Sequence, residues 1–123
     1  MMMNFNELPE FQKECKRLGK KYKSLLEDNQ EFKSDLQNFK DVISVTPFGN
    51  SKHFNILTKN EHYAIIKARL FCRYLKGSSL RIIYAFHCQD CKFIFIEIYP
   101  KNKKENEDRE RIKKYLKDFC QNG

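Results

Sequence analysis

The sequence predicts an α+β fold in which two helices precede an antiparallel sheet. Three observations carry this reading. Apolar residues recur at steps of three and four through the first 43 positions; runs rich in Ile, Phe and Tyr follow between residues 63 and 99; and only turn signals separate those runs. Helices grouped ahead of a sheet give an α+β fold, whereas a βαβ fold would interleave the two.

The first stripe is Leu8, Phe11, Cys15, Leu18 and Tyr22. Pro9 suits a first helical turn, where its missing N–H costs nothing, and Gly19 weakens the helix. A second stripe, Phe32, Leu36, Phe39 and Ile43, follows a polar break at Lys23 and Ser24, so residues 8–43 form an antiparallel helical hairpin. Residues 2–5 carry a weak strand signal. Residues 44–62, with Pro47, Gly49, Asn50 and Ser51, read as one long connection of the kind that serves function or moves; residues 53–57 add at most a short extended piece. The sheet then occupies residues 63–100 in three strands: 63–70, 80–87 and 92–99. Lys76, Gly77, Ser78 and Ser79 break the first from the second, and Gln89 and Asp90 turn the second into the third. A last helix over about residues 104–120 carries Ile112, Tyr115, Leu116 and Phe119, with Glu105, Glu107 and Asp108 at its positive end. Its apolar stripe packs on its own sheet or on a partner. The whole of residues 1–123 is expected to be one domain, without internal repeats.

Composition removes several classes. A hydrophobic fraction of 41%, with eleven Phe and six Tyr, supports a core and argues against disorder. There is no apolar run approaching the roughly 18 residues of a membrane span. The Met1, Met2 and Met3 start lacks the basic flank of an export signal, so a soluble cytoplasmic protein without a membrane partner is expected. Five cysteines, an odd number, are expected to stay reduced there. Cys88 and Cys91 have the spacing of half a zinc site. The second half is missing, because His53, His62, Cys72 and Cys120 are scattered, so neither metal nor cofactor is expected.

Charge is concentrated in the sheet region. Between residues 67 and 104 stand Lys67, Arg69, Arg73, Lys76, Arg81, Lys92, Lys101, Lys103 and Lys104 against only Asp90 and Glu97, which is +7 of the chain's formal +8. A sheet with such one-sided charge faces a polyanion, RNA first among the candidates. An anionic membrane surface or an acidic protein fits the sign as well.

The stretches AIIKARLFCRYLKG, SLRIIYAFH and FIFIEIYPKNKKENEDRERIKKYL, in this order and spacing, resemble the RelE/ParE superfamily of type II toxin–antitoxin toxins, over roughly residues 5–117. The resemblance implies a small twisted antiparallel sheet packed against an N-terminal helical hairpin, with a C-terminal helix. RelE-like members cleave mRNA, usually at the ribosome, and are neutralised by an antitoxin; ParE-like members poison gyrase. The RelE-like branch is expected here: a metal-independent endoribonuclease that inhibits translation. Its implied partners are a cognate antitoxin, mRNA and the ribosome, with DNA touched only through the antitoxin complex. The rivals are a ParE-like gyrase inhibitor and a catalytically inactive RNA-binding module.

RNA cleavage without a metal needs a base for the 2′-OH, cations for the crowded phosphorane and an acid for the leaving 5′-oxygen. By the resemblance, the catalytic candidates are Arg81, Tyr99, Lys101 and Glu97, and the RNA-binding candidates are Lys67, Arg69, Arg73, Lys76 and His87. Arg81 leads, because a guanidinium fork matches phosphate oxygens. Tyr99 stacks on a base or moves a proton, but an ordinary pKa of about 10 needs strong cationic neighbours for the latter. Glu97 and His87 are the conventional acid–base types in the sheet. Each has a plainer reading: Arg81 or Glu97 as an ion-pair partner, Lys67 and Arg69 as edge charges that deter aggregation, Tyr99 as packing, Lys103 and Lys104 as a solvated run.

Register leaves two alternatives. A two-residue turn at Gln89 and Asp90 sets Arg81 opposite Ile98, which puts Tyr99 and Glu97 on the other face. A three-residue loop or a β-bulge instead brings Arg81 and Tyr99 to one face.

Overall fold

A short N-terminal strand, β1 (Asn4–Glu7), leads into the helices α1 (Pro9–Lys21) and α2 (Leu25–Asn38), then the strands β2 (Phe54–Lys59), β3 (Tyr63–Leu70), β4 (Leu80–His87) and β5 (Lys92–Pro100), and last the helix α3 (Arg109–Phe119). The computed structural model describes residues 4–38, 54–59, 61–70, 80–87, 92–101 and 106–119. Phe39, Ile43, the turn residues Gln89 and Asp90, Glu105 and the cysteines at 72, 88, 91 and 120 lie outside them, as do Arg73, Lys76, Lys103 and Lys104.

Pro9 opens α1 at its first position, as its fixed φ favours. Phe11, Leu18 and Tyr22 from the first stripe are buried, and Cys15 packs beside them. At the start of α2, Ser24 Oγ donates to Asp28 Oδ2 at 2.6 Å, and Asp28 N–H donates to the Ser24 carbonyl at 2.8 Å in an i→i−4 helical bond. The hairpin lies on one face of the sheet, where Phe11 stacks on Phe95 at 5.4 Å and Phe32 meets Tyr84 edge-on at 6.0 Å. Helix α3 packs on the opposite face, its Ile112 and Tyr115 buried with Ile65, Ile83, Ala85, Ile94, Ile96 and Tyr99. Ile112, Tyr115 and Leu116 of its apolar stripe thus pack on its own sheet.

The sheet has the order β1-β5-β4-β3-β2. Two expectations need correction. The sheet is mixed rather than wholly antiparallel, because β1 pairs parallel with β5, Asn4 opposite Lys92 through Glu7 opposite Phe95. A four-residue strand carries too little pattern to announce a partner so distant in sequence. The 44–62 stretch is likewise not one connection: Phe54–Lys59 is an edge strand paired antiparallel with β3, longer and later than the short piece at 53–57 allowed.

The β4–β5 ladder holds the feature on which the site depends. From His87 opposite Lys92 to Tyr84 opposite Phe95 the strands keep the register that a two-residue turn implies; then the register shifts, and Ile83 faces Glu97, Ile82 faces Ile98 and Arg81 faces Tyr99. Ile96 is the extra residue of a β-bulge. Ile96 and Glu97 consequently share the α3 face, since Ile96 packs in the α3-side cluster and Glu97 stands opposite Ile83 of the same cluster.

Candidate nucleic-acid interface

With the bulge in place, three strands present one cross-strand row on the α3 side: Arg69 on β3, Arg81 on β4 and Tyr99 on β5 are direct neighbours. The next row toward the sheet centre is Lys67, Ile83 and Glu97. Lys101 follows β5 at the same end and is exposed. Five of the sequence candidates, Lys67, Arg69, Arg81, Glu97 and Tyr99, therefore share a face and an end of the sheet, with Lys101 beside them. His87 does not join them: it sits six residues from Arg81 along β4, about 20 Å away. Its Nε2 meets Tyr115 Oη at 2.6 Å, which ties the far end of β4 to α3. Arg73 and Lys76 lie outside the described residues.

Arg69 and Arg81 are direct cross-strand partners, and like charges so placed repel. Burial, then the charge on Arg69, lowers the Arg81 pKa, while Tyr99 opposes the shift. Tyr99 is 3% exposed. Its phenol pKa is pushed up to about 12 by burial, then by the carboxylates of Glu107 and Glu97, against the pull of Arg81. The phenol thus holds its proton firmly at neutral pH. It is suited to donate a hydrogen bond and poorly suited to act as a base.

The carboxylates are committed to structure. Glu97 is 1% exposed, and its Oε1 accepts the Asp108 N–H at 2.7 Å, joining β5 to the start of α3. Asp108 caps that helix, its Oδ1 accepting the Arg111 N–H at 3.1 Å. Glu107, missing from the sequence candidates, is buried on the same face, with Lys67 Nζ 3.1 Å from Oε1 and Arg109 Nη2 3.1 Å from Oε2. Burial alone would raise its pKa; its own backbone N–H, Lys67 and Arg109 outweigh that and hold it below the ordinary carboxylate range. The sequence signal was present as an acidic cluster after a lysine run, but it reads there only as a complement to the helix dipole. Lys67 is accordingly half of an internal ion pair, while Arg69 and Arg81 are the cations set against each other.

Among the described residues no group of three or more His, Cys, Asp or Glu is placed to hold a metal ion. No helix among them is long and apolar enough to cross a membrane.

No protein-family model matches the chain, and no curated protein matches it. Among solved structures, the chain is similar to a chain of the archaeal RelE–RelB complex from Pyrococcus horikoshii OT3, with a TM-score of 0.51. The fold is RelE-like. The two share 19% of aligned residues, and the match covers 85% of this chain and 100% of the other. At that identity the likeness speaks for the fold alone.

Proposed function

We propose that this chain is the toxin of a type II toxin–antitoxin pair, an endoribonuclease that cuts mRNA without a metal, in association with the ribosome, and so stops translation. The observation that carries the reading is the Arg69–Arg81–Tyr99 row on a RelE-like fold, aligned by the bulge at Ile96. Two neighbouring guanidinium forks suit an RNA backbone, one phosphate between the cations, with the buried Tyr99 packed in the core beside them.

In the proposed reaction the 2′-oxygen attacks the adjacent phosphorus and passes its proton to water. The bond from phosphorus to the 5′-oxygen breaks, leaving a cyclic 2′,3′-phosphate and a 5′-hydroxyl. Arg81 and Arg69 stabilise the extra negative charge of the phosphorane, the largest contribution such a site can make. Lys101, exposed at the same end, is the candidate to protonate the leaving oxygen. The partner that silences the toxin is an antitoxin segment whose acidic or amphipathic chemistry covers this face; a neighbour solved as a RelE–RelB complex supports that expectation.

Expression in a growing cell is expected to arrest growth, with transcript ends mapped by primer extension at new internal sites, and Arg81→Gln is expected to remove both effects. Unchanged growth and intact transcripts after strong induction contradict the reading. The commitment of Glu97 to Asp108 and the firmly protonated Tyr99 favour one second reading, an RNA binder without turnover. RNA retained on a filter with no cleavage products, ribosomes included, selects it.

A further inference from the structure

We propose that Glu14 and Arg111 are positioning residues that clamp the β-bulge from both sides of the sheet and so fix the register that sets Arg81 opposite Tyr99. The consequence for RNA binding rests on the function proposed above; the consequence for register does not.

Strand β1 covers β5 only from Lys92 to Phe95, and the last backbone bond runs from Leu8 N–H to the Phe95 carbonyl at 3.0 Å. Beyond it, side chains meet the backbone of β5. Glu14, on α1, accepts the Ile98 N–H through Oε1 at 3.3 Å. Arg111, on α3, donates Nη1 to the Ile96 carbonyl at 2.9 Å, and Ile96 is the extra residue itself. The two side chains close on each other, Arg111 Nη1 to Glu14 Oε1 at 2.8 Å and Nη2 to Oε2 at 3.0 Å. One bidentate pair thus joins the helix on one face, the helix on the other, and the backbone on either side of Glu97. Its side chains are only 20% and 14% exposed, where a fork-to-fork pair holds its geometry well.

A ladder without the bulge keeps the His87–Lys92 register, in which Arg81 faces Ile98 and Tyr99 and Glu97 turn to the hairpin face. That alternative removes an irregularity from the ladder, so something must favour the bulged form. The clamp supplies it, because a donor from α3 and an acceptor from α1 satisfy backbone groups that no strand reaches. Glu14 and Arg111 act on the Arg69–Arg81–Tyr99 row through the backbone of β5.

The test uses the full chain. In the wild type, the Ile98 amide is expected to exchange with solvent as slowly as amides of the central ladder, and backbone nuclear Overhauser contacts are expected between Arg81 and Tyr99. Fast exchange at Ile98, or contacts between Arg81 and Ile98 instead, overturns the proposal before any variant is made. Glu14→Ala and Arg111→Met are each expected to lose the Arg81–Tyr99 contact and to bind a single-stranded oligoribonucleotide roughly tenfold more weakly or worse. If either folded variant retains both at the wild-type level, the clamp is refuted. The double variant Glu14→Arg/Arg111→Glu separates positioning from simple ion pairing. It restores the pair, but a carboxylate cannot donate to the Ile96 carbonyl and a guanidinium cannot accept from the Ile98 N–H. Recovered thermal stability without recovered register supports the proposal; recovery of both overturns it. A wild type with the expected register and no RNA affinity sinks the proposed function and still supports the clamp.

Discussion

Arg81 on β4 pairs directly with Tyr99 on β5, one residue out of step with the register that His87 and Lys92 begin. The single extra residue, Ile96, moves Tyr99 and Glu97 onto the face of Arg69 and Arg81. A cation pair, a ring and two committed carboxylates are thereby gathered from three strands and the start of α3.

Arg69 and Arg81 face each other across the β3–β4 ladder, so each raises the cost of the other. Arg69→Gln is expected to stabilise the free protein by a few tenths of a kcal/mol while weakening RNA binding. Chemical denaturation and a filter-binding titration on the same preparation check both signs. Loss of stability together with unchanged affinity contradicts the anion-site reading.

Tyr99 is expected to ionise near pH 12 rather than near 10, because burial and then Glu107 and Glu97 oppose the phenolate more than Arg81 favours it. A folded-state pKa raised above the unfolded one gives stability that is intact below about pH 10 and is lost as pH climbs from 10 to about 12. Phenolate absorbance of the wild type minus that of Tyr99→Phe isolates this group. Ionisation at or below pH 10 contradicts the burial of Tyr99 and the carboxylates set beside it.

Glu107 carries the opposite sign. Its pKa is depressed below 4.5 by its own N–H, Lys67 and Arg109 in spite of burial. Its contribution is therefore present above the ordinary carboxylate value and disappears as pH falls through the depressed one. Glu107→Gln is expected to be less stable than the wild type at neutral pH, with the gap closing in acid. A gap that stays constant between neutral pH and pH 3 contradicts the assignment.

Gly19 lies inside α1, and a Cβ built there meets nothing within 4 Å. Gly19→Ala is expected to stabilise the protein by about 0.5–1 kcal/mol, by helix propensity and by a less disordered unfolded chain. Thermal melts measure it, and a destabilised variant means that α1 is not a helix at this position.

The hairpin and the three central strands were legible because their signals are local. The spacing of Phe11, Cys15, Leu18 and Tyr22 carries the helical period, and the Ile- and Phe-rich runs of β4 and β5 carry extended sequence buried on both faces. Strand β2 was legible only as a short extended piece at 53–57, because Asn55, Thr58 and Lys59 give it a polar, broken pattern that only pairing with β3 turns into a full strand. The parallel partner of β1 lies 88 residues away, from Asn4 to Lys92. Arg81, Arg69 and Tyr99 were legible as candidates, and the need for a bulge or a longer turn followed from counting register. Which residue bulges was not legible, since contacts from Glu14 and Arg111, 84 and 15 residues from their backbone partners, accompany it. Glu107 escaped for the same reason: its contact with Lys67 spans 40 residues.

The central claim is that the aligned guanidiniums hold RNA phosphate. The salt dependence of binding to a single-stranded oligoribonucleotide tests it most directly, comparing the wild type with Arg69→Gln/Arg81→Gln. Each phosphate contact on a single strand contributes about 0.7 to the slope of log affinity against log salt. The double variant is expected to bind more weakly, with a slope shallower by roughly 0.7 for the one phosphate held between the two cations. Parallel slopes of equal affinity would show that the backbone settles elsewhere on the molecule and that the row is not the site.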